Sequence, residues 1–352
     1  MSKRILIINV NWVGDVLFST PFIRAIRERY PDSYIACLLH PRCAEVLEDN
    51  PRLNEIIIYD EEGYHRSLRG KIRLIRLLRK KRFDTAFILH RSFTKAMIAF
   101  LAGARERIGY PTKNRMIFLT KPVEGPIEDI HKVEHFLNLA KAVGASAKDL
   151  AYEFFVRDSD RLYIREFLEK SGSSGKGPIV VICPGGNWGP KRWPKEKFAR
   201  LSDALAEEFR ATVTIAGAKK DIALAEEIRA MMRNKSVIAC GKTTLKQLGA
   251  LFEKADLVIA NDTGPMHLAV SMKARVIALF GPTSPEITGP YGRGDYKVIF
   301  NNQMCIVPCY DVTCHKNRCM DAIDVEDVLR ESRLMLAKSP KLKAQSPNYD
   351  NR

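Results

Sequence analysis

The sequence predicts an α/β protein made of two doubly wound halves, each a parallel sheet with helices on its faces. Three observations support this prediction. The chain has 352 residues, enough for two domains of about 100–200 residues each. Short β-rich runs alternate with longer helical patterns, as expected for a parallel sheet. A Gly/Ser-rich stretch at residues 171–177 has the composition of a linker and separates two such series.

The first half is predicted to begin with a strand and to alternate from there. Its predicted strands and helices are, in chain order, Ile5–Val10, Pro21–Arg29, Tyr34–Leu39, Cys43–Asp49, Ile56–Tyr59, Leu68–Arg82, Thr85–His90 and Lys95–Ala102. We therefore assign residues 1–170 to an N-terminal domain.

The second half is predicted from a similar series of short apolar runs with helices between them, one helix being Lys195–Glu208. The predicted strands are Pro178–Cys183, Val213–Ala216, Val237–Ala239, Leu257–Ala260 and Val276–Phe280. An amphipathic helix follows Asp324. We assign residues 178–337 to a C-terminal domain and the Lys/Pro/Asn/Ser-rich residues 338–352 to a mobile tail.

Composition and charge limit the functional classes. With 46% hydrophobic and 28% charged residues, the chain is typical of a soluble globular protein. The sequence has no apolar run of the roughly 18 residues that a membrane helix needs, and residues 1–4 lead into a strand without a cleavage site, so we expect a cytoplasmic protein. The net charge of +16 favours an anionic partner: nucleic acid, a phosphorylated small molecule or an acidic membrane surface.

The segment Asn11–Asp15 follows the first predicted strand, and ligands of open α/β sheets bind at the carboxyl ends of strands. Asp15 has two interpretations. It can cap the following helix. Alternatively, Thr20 caps that helix with Pro21 at its first position, and Asp15 then serves as a general base beside Gly14, where a ligand can approach the backbone. No G-x-G-x-x-G motif is present, which argues against a dinucleotide site.

The segment Cys183–Pro194 also follows a strand and combines glycines, prolines and two tryptophans with the cations Lys191 and Arg192. Backbone amides and a flexible ammonium in such a loop suit a phosphate group. A structural turn with solvated basic residues is the alternative, and we favour phosphate binding.

The segment Asn261–Ala269 begins a helix directly after a strand. Asp262 or Thr263 can cap this helix, and Gly264 allows a ligand to approach an N-terminus whose dipole attracts a diphosphate. His267 lies one turn further on, either as a satisfied core histidine or as part of this pocket. The segment Phe280–Pro285 repeats the pattern one strand later and would form a second wall of the pocket.

In their order along the chain, these motifs resemble the ADP-heptose:lipopolysaccharide heptosyltransferases of glycosyltransferase family 9, and the type II enzymes most of all. The resemblance spans roughly residues 3–336. It implies a GT-B fold of two Rossmann-like domains, with the acceptor bound by the N-terminal domain and the donor mainly by the C-terminal domain. It also implies a metal-independent, inverting transfer that needs no cofactor. Heptose would move from ADP-L-glycero-D-manno-heptose to the lipopolysaccharide inner core, as the second heptose onto the first.

Position by position, the resemblance implies roles for individual residues. Asp15 would deprotonate the acceptor hydroxyl, and Lys191 would stabilise the departing diphosphate. The implied donor-binding residues are Gly14, Asn187, Arg192, Lys219, Asp262, Thr263, Gly264, Met266, His267, Gly281 and Thr283. Asn187 departs from the acidic residue that type II enzymes tend to carry there, and residues 9–11 replace a stretch that is often small or hydroxylic.

The predicted helix of residues 68–82 is strongly basic and carries Leu68, Ile72, Ile75 and Leu78 on one face. A solvated outer face is one interpretation. The other is an electrostatic dock for the inner leaflet of the membrane or for an acidic acceptor of the lipid A–Kdo–heptose type. On the second interpretation the protein would be peripheral at the inner face of the cytoplasmic membrane.

Four of the eight cysteines gather late in the chain: Cys305, Cys309, Cys314 and Cys319. Their spacings lack the C-x2-C pairs of strong zinc motifs. We rank reduced thiols first, a structural metal second and a disulfide third, and expect no metal in catalysis.

Two rival functions remain. A transferase of the same family could use another nucleotide sugar or acceptor. A basic nucleic-acid-binding protein would also account for the charge, but it predicts cations interleaved with exposed aromatic residues along one track. Because the polar clusters lie at strand ends instead, we expect no nucleic-acid partner.

Overall fold

The computed structural model describes residues 2–126, 129–172, 177–301, 305–309 and 311–339. The chain forms two compact units, the first ending at Phe155 and the second beginning at Val156. Residues 173–176 of the predicted linker and residues 340–352 of the predicted tail lie outside the described residues.

Unit 1 is a six-stranded parallel sheet in the order β3-β2-β1-β4-β5-β6. Its strands are β1 Arg4–Ile8, β2 Tyr34–Leu39, β3 Glu55–Ile58, β4 Thr85–Ile88, β5 Glu106–Gly109 and β6 Lys121–Pro122. Its helices are α1 Val13–Phe18, α2 Thr20–Arg29, α3 Ala44–Leu47, α4 Leu68–Lys80, α5 Phe93–Leu101 and α6 Lys132–Lys141.

Unit 2 is a second six-stranded parallel sheet, in the order β12-β11-β10-β7-β8-β9. Its strands are β7 Ile179–Cys183, β8 Thr212–Ile215, β9 Ser236–Ile238, β10 Leu257–Asn261, β11 Val276–Phe280 and β12 Tyr296–Phe300. Its helices are α7 Asp158–Lys170, α8 Lys195–Phe209, α9 Ile222–Met231, α10 Leu245–Lys254, α11 Gly264–Ser271, α12 Pro285–Thr288, α13 Arg318–Asp321 and α14 Val325–Leu336.

Both sheets are covered by helices, and this explains their continuous apolar strands. Residues 5–8 of β1 and residues 257–260 of β10 are fully buried, as expected for parallel sheets with two covered faces. The predicted α/β class with two doubly wound halves is confirmed. In each unit the chain runs from the first strand to one edge of the sheet and then returns to the other side of that strand. As a result, β1 lies beside β4, and β7 lies beside β10. These are the switch points at which α/β sheets bind ligands.

The boundary between the units differs from the predicted one. We expected the first domain to extend to residue 170, but α7 packs against α10 of unit 2. Arg161 Nε donates to Glu253 Oε2 at 2.7 Å, and Tyr163 Oη donates to the carbonyl of Lys242 at 2.7 Å. The Gly/Ser-rich stretch therefore lies between the first helix and the first strand of unit 2 and does not separate the two units.

The first helix also differs from the prediction. We expected one helix here, Pro21–Arg29, with Asp15 or Thr20 as its cap, but α1 begins at Val13 and a second helix begins at Thr20. Trp12 occupies the N-cap of α1, and its side chain makes no capping hydrogen bond. The sequence therefore carries no signal for the start of a helix at this position. Among the described residues, no helix is long and apolar enough to cross a membrane.

The end of unit 1 is fixed by the carboxylate of Glu153, which binds two arginines. Glu153 Oε1 accepts from Arg24 Nη1 at 2.8 Å, and its Oε2 accepts from Arg52 Nε at 2.7 Å. Burial would raise the pKa of Glu153, but the bonds from Arg52 and Arg24 outweigh it and lower the pKa. Arg24 is itself buried, so this contact neutralises a charge that water cannot reach.

We predict that Glu153→Gln destabilises unit 1 by about 3 kcal/mol, because it leaves the buried Arg24 with only the exposed carboxylate of Asp149, at 3.9 Å, as a counter-charge. Since the folded-state pKa is lowered, this stabilisation is fully present above the ordinary glutamate value of about 4.3 and is lost as pH falls through the folded-state value. Hydrogen exchange in β1 and α2 measures the change. Glu253→Gln, which breaks an exposed pair, should cost less than about 1 kcal/mol. Equal effects of the two substitutions would contradict the prediction.

Candidate functional site

The loop between β7 and α8 is held at both ends by one side chain, that of Asn261 at the end of β10. Asn261 Nδ2 donates to the carbonyl of Pro184 at 2.9 Å, and Asn261 Oδ1 accepts from the backbone N–H of Trp193 at 3.1 Å. Asn261 is fully buried. A buried amide with one donor and one acceptor satisfied in this way fixes the loop without leaving an unpaired polar group.

Gly185 allows this loop to pack on the turn after β8. A Cβ atom at Gly185 would lie 2.5–2.7 Å from the carboxyl atoms of Asp221. Asp221 is buried and accepts from the backbone N–H of Ala218 at 2.9 Å, so its carboxylate is held in place. Only glycine fits at this position without displacement of the loop or of Asp221.

Lys191, Asp262 and Thr283 meet at the switch point of unit 2. Lys191 Nζ donates to Asp262 Oδ2 at 2.6 Å, and Thr283 Oγ1 donates to the same oxygen at 2.6 Å. His267 Nε2 lies 3.7 Å from Asp262 Oδ1. The three segments that the sequence analysis identified after β7, β10 and β11 therefore converge on one buried carboxylate.

The charge of Asp262 is stabilised by these neighbours. Burial raises the pKa of Asp262, but the contacts of His267 and Lys191 outweigh it and bring the pKa down to about 2. Asp262 is therefore ionised near neutral pH and holds the Lys191 ammonium. An ammonium has three N–H donors, so Lys191 can bind Asp262 and still donate to an anion.

Helix α11 begins beside this cluster. Thr263 occupies its N-cap, but the hydroxyl bonds to the carbonyl of Asn261 at 3.2 Å and does not cap the helix. Gly264 is the first helical residue, and the positive end of the helix dipole thus lies next to Lys191. Met266 is fully buried, and His267 is 4% exposed. Of these two predicted nucleotide contacts, His267 lies against the carboxylate of Asp262 and Met266 belongs to the core.

Arg192 and Asn187 bind other protein groups. Arg192 Nη2 and Nε donate to the carbonyl of Gly186 at 2.5 and 3.1 Å, so the guanidinium braces the loop. Asn187 accepts a hydrogen bond from Lys220. Lys219, the neighbour of Lys220, is exposed in the turn after β8.

Gly281, a predicted donor-binding residue, lies where α13 packs against the end of β11. A Cβ atom there would lie 2.5 Å from Met320 Sδ and 3.1 Å from Cys319 Sγ. The glycine is therefore required by the packing of α13 against the end of β11.

In unit 1, Gly14 and Asp15 lie in the first turn of α1, after β1. The N-cap is Trp12, so Asp15 is not the cap of this helix. Asp15 is half-buried, and its carboxylate is near Cys43. Burial is the main cause that raises the pKa of that thiol to about 12, and the negative charge of Asp15 adds to it.

A polar cluster that the sequence analysis did not identify lies at the same edge of this sheet. Lys95 of α5 is 2% exposed, and its Nζ donates to Asn11 Oδ1 at 2.5 Å and lies 3.7 Å from Glu61 Oε1. Burial lowers the pKa of Lys95 to about 8, against the opposing charge of Glu61. The only sequence signal was a lysine within an otherwise apolar helix.

All eight cysteines are free thiols. Burial raises the pKa of Cys37 and Cys240 to about 12. In the late segment, Cys305 is exposed and Cys319 is buried, and the N–H of Cys309 donates to the carbonyl of Pro282 at 2.7 Å. Within the described part of the chain, no three His, Cys, Asp or Glu side chains are grouped as a metal ion would require.

Comparisons with known proteins show the family to which the chain belongs. The family model described as glycosyltransferase family 9 (heptosyltransferase) matches residues 71–319. The chain belongs to glycosyltransferase family 9. It is 31% identical over 304 residues to lipopolysaccharide heptosyltransferase 2 of Salmonella typhimurium. The aligned region covers 82% of this chain and 85% of the relative. It is 29% identical over 308 residues to lipopolysaccharide heptosyltransferase 2 of Escherichia coli, with the same coverage.

Two solved structures of this family are similar in fold. A glycosyl transferase family 9 protein from Veillonella parvula has a TM-score of 0.89 at 25% identity and covers 96% of this chain and 99% of its own. The ADP-heptose LPS heptosyltransferase II of E. coli has a TM-score of 0.78 at 26% identity and covers 95% and 99%. The predicted GT-B fold class is thus confirmed. Because the chain belongs to family 9, it is a glycosyltransferase.

We predict that Gly185→Ala destabilises unit 2 by about 1–3 kcal/mol, because the added methyl group clashes with Asp221. The loop of residues 184–193 should also open more often, so that the amide of Trp193 exchanges faster. Gly189→Ala is the matched control, since a Cβ atom there meets nothing within 4 Å. Faster exchange in both variants, or in neither, would contradict the prediction. Hydrogen exchange and denaturant unfolding are the measurements.

Proposed function

We propose that this family 9 enzyme transfers heptose from ADP-L-glycero-D-manno-heptose to the inner core of lipopolysaccharide, as the second heptose onto the first. The observation that carries the proposal is the Lys191–Asp262 pair beside the N-terminus of α11. The similarity of the chain to lipopolysaccharide heptosyltransferase 2 from two species supports the choice of sugar and acceptor.

The donor diphosphate would bind at the switch point of unit 2. Lys191 supplies an ammonium, and the first turn of α11 supplies the positive end of a helix dipole. As the bond to the sugar breaks, negative charge grows on the departing diphosphate, and these groups stabilise it without having to reorganise. They provide the positive charge that a divalent metal provides in other transferases, so we propose a metal-independent reaction.

The acceptor would be activated in unit 1. Asp15 follows β1 at the switch point of that sheet, next to Gly14. We propose that its carboxylate takes the proton from the acceptor hydroxyl, whose oxygen then attacks the anomeric carbon on the face opposite ADP. Attack from that face inverts the configuration at the anomeric carbon.

We predict that Asp15→Asn lowers kcat by about 10²–10⁴-fold, because the general base is lost, while ADP binding is unchanged. Lys191→Met should weaken ADP binding and lower kcat as well. The measurement is acceptor-dependent release of ADP from ADP-heptose with heptosylated, Kdo-bearing lipid A, together with calorimetry of ADP binding. Asp32→Asn, an exposed carboxylate at the amino end of the same sheet, is the control and should leave kcat unchanged.

The outcomes separate the alternatives. Full activity of Asp15→Asn would exclude Asp15 as the base. No turnover by the wild-type enzyme, with ADP still bound, would favour a family 9 transferase with another sugar or acceptor.

We further propose that the enzyme works in the cytoplasm, peripheral to the inner leaflet, with α4 as the electrostatic contact. The helix buries Gly70, Leu74 and Leu78, which differs from the face expected from the sequence, because Leu68 and Ile72 are exposed. The outer face also carries five cations: Arg69, Arg73, Arg76, Arg79 and Lys80. Within the part of the chain that the structure describes, four of these five side chains have no hydrogen-bond or ion-pair partner. The exception is Arg73, whose guanidinium donates to Tyr64 Oη at 2.9 Å.

We predict that Arg69→Gln/Arg76→Gln/Arg79→Gln weakens binding to anionic vesicles by about 100-fold, at about 1 kcal/mol per basic residue. Vesicle co-sedimentation at low salt measures this. Arg200→Gln/Lys235→Gln/Lys254→Gln removes the same charge from exposed positions of unit 2 and should have little effect. Equal losses in both triple variants would show that net charge, and not α4, governs the binding.

A further inference from the structure

Unit 1 exposes a contiguous apolar surface beside α4, which we call the apolar ridge. It consists of Phe93, Met97, Phe100 and Leu101 of α5 and of Met116 and Ile117 after β5. Ile117 is 75% exposed, Met116 59% and Phe100 46%. Single exposed apolar residues are ordinary, whereas a contiguous apolar patch marks an interaction site.

The ridge follows from the spacing of α5. Residues 93, 97, 100 and 101 recur at helical spacing on one face, and the opposite face is buried through Lys95, Ala96, Ile98 and Ala99. The ring centroid of Phe118 lies 5.0 Å from that of Phe93 and 5.6 Å from that of Phe100. The turn of residues 116–118 therefore lies along the helix and extends its apolar face. Apart from Thr94 and Lys95, every residue of α5 is apolar, and a helix of this kind is expected to be covered on most of its sides.

The charge around the ridge indicates what covers it. Residues 89–123 contain seven Lys or Arg residues, of which Lys95 and Arg115 are buried and five remain for the surface. The single carboxylate in this stretch is Glu106, which accepts from Thr85 Oγ1 at 3.1 Å. Arg105, Lys113 and Lys121 are exposed. The guanidinium of Arg107 lies over the ring of Phe100, 5.3 Å from its centroid. An apolar centre with a cationic margin is complementary to a bilayer with anionic headgroups. A symmetric contact with a second copy would bring these cations against one another.

The ridge is also well placed for a lipid-linked acceptor. Helices α4 and α5 bury side chains in the same core cluster on one face of the sheet, Leu74 and Leu78 from α4 and Ala96 and Ala99 from α5. Their outer faces therefore belong to one side of unit 1. The ridge begins at Phe93, two residues before Lys95, at the edge of the sheet where Asp15 also lies.

We propose that the apolar ridge inserts into the anionic leaflet of a phospholipid membrane and supplies the part of the membrane affinity that salt does not screen. The proposal rests on the proposed function only in that a lipid-linked acceptor gives the insertion its purpose. The basic face of α4 would attract the protein to the surface, and the ridge would hold it there.

The test is vesicle co-sedimentation of the full-length protein with phosphatidylglycerol/phosphatidylcholine vesicles at about 0.1 M and about 0.5 M NaCl, since added salt screens the charges of α4. Phe100→Ser/Ile117→Ser should lower the affinity by about tenfold or more at both salt concentrations. Met231→Ser/Leu334→Ser removes two apolar side chains that are 44% and 59% exposed in unit 2 and should bind like the wild type. Thermal unfolding checks that both variants are folded.

A second variant tests insertion without removing apolar surface. Ile117→Trp should show a blue shift of its fluorescence and quenching by brominated lipid when vesicles are added. Wild-type affinity in the Phe100→Ser/Ile117→Ser variant, or a tryptophan at 117 that stays solvated on vesicles, would overturn the proposal. So would a wild-type dimer in sedimentation that the double variant abolishes, because a second copy would then cover the ridge.

An activity assay keeps this proposal separate from the proposed function. With a deacylated, water-soluble acceptor the double variant should match the wild type, and with acceptor embedded in vesicles its KM should rise. Loss of activity on both acceptors would contradict a role confined to the membrane. Absence of wild-type turnover would count against the proposed function and leave the vesicle result intact as evidence on the ridge.

Discussion

The candidate donor site depends on the side-chain amide of Asn261. This amide joins β10 to both ends of the loop after β7, through Pro184 and Trp193. The loop then carries Lys191 to the carboxylate of Asp262, the next residue after Asn261. An aspartate at 261 could not donate to a carbonyl, and a leucine could not accept from an N–H. One neutral side chain thus sets the geometry of the charged pair beside it.

The two units place different chemistry at equivalent points of similar sheets. At its switch point, unit 2 has a cation held by a buried carboxylate at a helix N-terminus, an arrangement that attracts anions. Unit 1 has a carboxylate in the first turn of α1 and the buried lysine Lys95 nearby in the fold. The division follows a common property of α/β proteins, in which the sheet supplies the location and the loops supply the function.

The sequence predicted those features that depend on local order along the chain. Lys191, Asp262 and Thr283 were found because each follows a strand, and parallel strands bring their carboxyl ends to one edge. The role of Asn261 was not found, because its partners Trp193 and Pro184 lie 68 and 77 residues away and any polar residue could end a strand. The start of α1 was missed since Trp12 gives no capping signal. The boundary near residue 155 was missed because α7 belongs to unit 2 through its packing on α10. The amino-acid composition of a helix does not reveal which domain it packs against.

The acidity of Asp262 has a consequence for enzymology. With its pKa lowered to about 2 against the opposing effect of burial, this carboxylate keeps its charge through the whole range in which an enzyme is normally assayed. The negative charge beside Lys191 is therefore constant over that range. An acid limb in a pH–rate profile would report the titration of a group other than Asp262. Comparing the pH profile of kcat with that of ADP binding would then assign this group to the proton transfer or to the donor site.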